Sequence, residues 1–73
     1  MKRSKEQQEM IANRIREKRR ELKMQQKKLA EKAYISQSDM CKIEKANKWL
    51  ESDELRRIAD ALGVDTGYLL GTL

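Results

Sequence analysis

QQKKLAEKAYISQSDMCKIEK, residues Gln25–Lys45, is the stretch from which the fold is read. Leu29, Ala30 and Ala33 fall on one side of a helix over about 26–33, and Met40 and Ile43 on one side of a second over about 37–45. Tyr34, Ile35 and Ser36 make a tight turn between them, with Ile35 on the inner side. Ser36 is a good N-cap for the second helix, and Asp39 three residues on resembles a capping box with Asp in place of Glu. The small Ala30 and Ala33 allow two helices to approach closely. What the second helix leaves outside is polar: Gln37, Ser38, Asp39, Cys41, Lys42 and Lys45.

Upstream, Ile11, Ile15 and Leu22 stand at i, i+4 and i+11, which predicts one apolar face on a first helix from about Lys5 to Leu22. Residues 1–9 are read as a flexible or partly helical extension, and 10–71 as a single domain. Downstream, Ala46–Glu51 is a loop in which Asn47 can take the left-handed conformation that ends a helix. Ser52 is the expected N-cap of a fourth helix, whose inner face is Leu55, Ile58, Ala59 and Leu62 and whose C-terminal signal is Gly63. Asp65 then caps a short fifth helix carrying Tyr68, Leu69 and Leu70. No strand-like alternation, proline or repeat interrupts this, so the expected class is all-α with five helices.

Charge separates along the chain. Residues 1–32 hold 12 basic and 5 acidic side chains, net +7, while residues 33–73 hold 5 basic and 7 acidic, net −2. That asymmetry fits either a polyanionic partner on one side or a solvated charged surface. Arg14, Arg16, Arg20, Lys23, Lys27 and Lys28 form the expected electrostatic footprint. Histidine is absent and Cys41 is the only cysteine, so neither a metal-ligand cluster nor the usual catalytic constellations are available, and no enzyme, cofactor or metal is expected. No apolar run suits a membrane span or a signal peptide, which points to a cytoplasmic, nucleoid-associated protein. A rigid scaffold projecting one polar helix suits reading the major groove of double-stranded DNA.

The segments IANRIREKRREL, QQKKLAEKAYISQSDMCKIEKANK and LRRIADALGVDTGYLL together resemble the Cro/CI-type (XRE) helix-turn-helix domains of phage repressors and bacterial regulators. The likeness spans about Ile11–Leu70 and implies a compact lambda-repressor-like fold of five helices. It further implies a transcriptional regulator, a repressor foremost, that binds a two-fold operator as a homodimer. Mapped residue by residue, Gln37, Ser38 and Lys42 read base edges, and Cys41 joins them as a candidate from its place on the same outer side. Gln25, Gln26, Lys45, Asn47 and Lys48 meet the DNA backbone, and Arg20, Lys27 and Lys28 from the basic footprint, with Ser36 at the helix start, are expected to join them. Arg19 and Glu44 form a structural ion pair. Three positions depart from the family pattern: Tyr34 and Ala46 stand where turn glycines are frequent, and Leu50 where a proline is.

The chemistry of single residues is compatible with these roles. Gln37 can pair bidentately with adenine and Lys42 can donate to guanine, whereas Ser38 serves either kind of partner. Asp39 suits capping better than contact with phosphates. Cys41 has no redox partner and is either inert or a small soft group against a thymine methyl. Tyr68, Leu69, Leu70 and Leu73 crowd the end of the chain and form the expected dimer patch. The competing reading is an antitoxin or protein-interaction module with autoregulatory DNA binding. Only residues 1–9 and the last few lie outside the expected domain, which is little for a neutralising segment. No small-molecule ligand is evident.

Overall fold

A computed structural model describes residues 4–72, which form five helices: α1 (Lys5–Glu21), α2 (Gln26–Ala33), α3 (Gln37–Glu44), α4 (Ser52–Leu62) and α5 (Thr66–Leu70). Among the described residues there is no strand. The N-terminal extension is thus helical from Lys5, and α1 opens with a reciprocal cap. The backbone N–H of Gln7 donates to Ser4 Oγ at 3.1 Å, and that of Ser4 to Gln7 Oε1 at 2.9 Å.

One apolar core joins the helices. Ile11 and Ile15 of α1 meet Leu29, Ala30 and Ala33 of α2, Met40 and Ile43 of α3, Leu55, Ile58, Ala59 and Leu62 of α4, and Leu69 of α5. Ile35 and Leu50 add to it from the connections. α2 packs against α3 and α4, and α1 against α3 and α5. Leu22 departs from expectation: α1 ends at Glu21, Leu22 lies in the turn that follows, and it is 45 % exposed. Ala12 takes a buried place on α1 instead.

All five helices close in the same way. In each, one N–H reaches back to the carbonyl five residues earlier, and the N–H before it to the carbonyl three residues earlier. The longer bonds are Met24 to Arg19, Ile35 to Ala30, Asn47 to Lys42, Val64 to Ala59 and Thr72 to Gly67. This Schellman closure needs one left-handed residue. Gly63 and Gly71 provide it for α4 and α5, but Lys23, Tyr34 and Ala46 provide it for α1, α2 and α3 at φ 56°, 57° and 60°. Ala46, not Asn47, therefore turns the chain after α3. The N-cap of α4 also moves by one residue, to Glu51, whose N–H donates to Glu54 Oε1 at 2.9 Å. Ser52 is the first residue of the helix rather than its cap.

Candidate nucleic-acid interface

The two faces of α3 differ as its sequence requires. Met40, Ile43 and Glu44 are buried, while Gln37, Ser38, Lys42 and the following Lys45 are exposed. Asp39 and Cys41 lie at the border, half-buried. Ser36 starts the helix: its Oγ accepts from the Asp39 N–H at 3.1 Å. The turn that aims α3 is tied to α4, because Arg57 Nε donates to the Ala33 carbonyl at 2.8 Å. Arg57 also holds Asp53 at 2.7 Å, and this hydrogen bond keeps the Asp53 carboxyl below its ordinary pKa.

Glu44 is the buried charge that fixes α3 to the rest. Arg19 of α1 embraces it with two hydrogen bonds, Nε to Oε2 at 2.8 Å and Nη2 to Oε1 at 2.9 Å. Gln26 of α2 adds a third from Nε2 at 3.3 Å, and Arg19 Nη1 also reaches the Met24 carbonyl at 3.0 Å. Three helices thus meet at one carboxylate, which satisfies the acceptors that burial would otherwise leave unpaired. Gln26, half-buried, faces this carboxylate in the structure. The sequence shows only half of this network: family likeness pairs Arg19 with Glu44 but sets Gln26 at the DNA backbone.

The N-terminus of α2 is built differently from those of α1, α3 and α4. It has no side-chain cap and no acidic residue in its first turn, whereas Ser4, Ser36 and the Glu51–Glu54 pair serve the other three. The first N–H groups of a helix lack intrahelical acceptors, so this end is left ready for an anion. Gln25, Lys27 and Lys28 stand exposed around it.

The basic side chains divide into two sets. Arg20, Lys23, Lys27, Lys28, Lys42 and Lys45 are exposed and carry no ion pair among the described residues. Arg14 leaves the footprint expected of it, and Arg16 is held in place by bonds within the protein. Arg14 donates to the Tyr68 carbonyl at 3.0 Å and lies 5.6 Å from the centroid of the Tyr68 ring. Arg16 donates to the Glu44 carbonyl and, at 3.1 Å, to Asn13 Oδ1. Lys48 is drawn to Glu54 at 3.2 Å and to the Trp49 carbonyl at 3.3 Å, so its charge is largely offset within the protein. Asn47 is exposed. Tyr68, Glu44 and Glu54 lie on other elements, where local sequence gives no sign of them.

A sequence profile described as a helix-turn-helix domain matches residues 12–72. The chain belongs to the helix-turn-helix domain family. The match covers the α2–turn–α3 unit together with α4 and α5, and it is consistent with the Cro/CI-type likeness of the sequence. Searches of curated proteins and of solved structures give no significant match. In the helix-turn-helix domain, the expected dimer patch is smaller than the sequence suggested. Leu69 is wholly buried in the core, Tyr68 and Leu70 are half-buried, and Leu73 lies outside the described residues. No helix among the described residues is long and apolar enough to cross a membrane.

Proposed function

We propose that this helix-turn-helix domain is a sequence-specific regulator of transcription, a repressor, that seats α3 in the major groove of double-stranded DNA. The observation that carries the reading is the exposed row Gln37, Ser38 and Lys42 on a helix whose opposite face is locked by Met40, Ile43 and the Glu44 network. Rigid placement matters because a misplaced side chain loses its bidentate geometry with a base. Gln37 and Lys42 read base edges, with Ser38 and Cys41 beside them. Arg20, Gln25, Lys27, Lys28, Ser36, Lys45 and Asn47 hold the phosphates, with the uncapped start of α2 as one anchor.

The operator is two-fold and the protein binds it as a homodimer in the cytoplasm. Tyr68 and Leu70 belong to the dimer face, and Leu69 does not. Half-sites then lie about 34 Å apart, one turn of the duplex. In vitro selection of bound sequences from random duplexes tests this reading. A palindromic consensus supports it, and recovery of unenriched sequence at physiological salt contradicts it.

A further inference from the structure

We propose that the cleft between the first half of α1 and the end of α3 is a phosphate site. In the complex it takes a DNA backbone phosphate beside the major-groove contact. This assignment of source rests on the DNA-binding reading above.

The cleft has a volume of about 500 Å³ and is lined by Lys5, Glu9, Asn13, Arg16, Lys45 and Asn47. Three cations face one carboxylate there. Lys5 and Lys45 are exposed and carry no ion pair among the described residues. Arg16 is hydrogen-bonded, but both acceptors are neutral, the Glu44 carbonyl and Asn13 Oδ1, so its charge is undiminished. The first of these bonds also covers a carbonyl at the end of α3 that would repel an anion. Asn13 is held in turn by Glu17, to which its Nδ2 donates at 2.9 Å. Arg16 and Asn13 thus form a fixed floor, and Lys5 and Lys45 two arms able to close on a ligand.

Position supplies the ligand's class. Ser38, Lys42 and Lys45 follow one another at i, i+4 and i+7, a single stripe along α3 that ends in the cleft. At 1.5 Å per residue the stripe is about 10 Å long. That is comparable with the major groove's width of about 12 Å, so a helix reading the groove with Ser38 brings the cleft to the phosphates at its wall.

The test uses Lys5→Gln, an exposed substitution that removes one arm and leaves the Arg16 floor intact. Binding is measured by fluorescence anisotropy on two duplexes carrying the selected site, one extended beyond the α3 C-terminal side and one cut flush. The proposal expects Kd to rise about three- to tenfold on the extended duplex, with a salt slope shallower by about 1, and no change on the flush one. In parallel, inorganic phosphate is titrated into DNA-free protein and followed by amide chemical shifts. Movement at Asn13, Ala46 and Asn47 that Lys5→Gln with Lys45→Gln abolishes supports the site and shows that it also accepts free phosphate. If Lys5→Gln matches the parent on both duplexes and phosphate leaves those amides still, the proposal is overturned. A parent protein that binds no duplex removes the DNA reading, and the phosphate titration alone then decides the cleft.

Discussion

α2, its turn and α3 add a set of long-range polar bonds to their share of the core, whereas α4 and α5 rest chiefly on their apolar faces and two glycines, with Arg14 on the Tyr68 carbonyl as a lesser tie. Arg19 and Arg57 reach in from α1 and α4 to the Met24 and Ala33 carbonyls and to Glu44. The turn residues at the ends of α2 and α3, Tyr34 and Ala46, carry side chains at positive φ. That conformation costs an ordinary L residue about 1 kcal/mol, a penalty Gly63 and Gly71 avoid. The lesson is that the recognition half needs long-range polar bonds beside its buried face, because its turns run against local preference. The closing half gets its shape from local preference and burial. Damage should therefore differ in kind between the two.

Glu44→Ala attacks the recognition half hardest. It leaves the Arg19 guanidinium, 13 % exposed, without its carboxylate, and loss of a buried partner costs about 3–5 kcal/mol. Domains of this size often have stability on the order of 5 kcal/mol, so chemical denaturation should find the variant largely unfolded or nearly so. Arg57→Ala is next, at about 1–2 kcal/mol, because a charged donor is withdrawn from the Ala33 carbonyl. Its thermal unfolding midpoint should fall while α4 remains helical by circular dichroism.

Two exchanges at helix ends then oppose each other. Gly63→Ala should lose about 1 kcal/mol, all of it backbone strain, since an added Cβ there meets nothing within 4 Å. Tyr34→Gly should gain about 0.5–1 kcal/mol, because Tyr34 is 85 % exposed and little packing is lost with its ring. Each is read as a change in melting temperature, and a loss at Tyr34→Gly would show that the ring has a contact worth more than the strain.

The smallest effect belongs to Asp53→Asn. The Arg57 hydrogen bond holds the Asp53 carboxyl below its usual value, so its contribution is present above the unfolded pKa and lost as pH falls through the lower folded one. Being exposed, it should change stability slightly near neutral pH, and the variant and parent should converge in acid.

Much of this architecture is legible in the sequence. The α2 boundaries, the Ser36 cap and the inner face of α3 follow from period and capping chemistry, because those signals act within one or two turns. Ala46 in place of Asn47 as the left-handed residue runs against side-chain preference, which favours Asn there, and the sign of it lay in the family glycine that Ala46 replaces. Arg14, Arg16 and Lys48 could not be separated from Arg20, Lys27 and Lys28 by residue type. Their partners Tyr68, Glu44 and Glu54 are set by how α1 lies against α3 and α5 and by how the loop meets α4. Arg57, which steadies the turn from α4, gave no local signal at all.

The reading stands or falls with Gln37. Binding of Gln37→Ala and Lys28→Ala should be compared on the selected operator and on operators altered at single base pairs. Gln37→Ala should weaken the preferred DNA by about 1–3 kcal/mol and erase discrimination at one base pair, while Lys28→Ala weakens every duplex alike and flattens the salt slope by about 1. Equal loss on all sequences for Gln37→Ala would contradict the assignment of α3 as the element that reads bases.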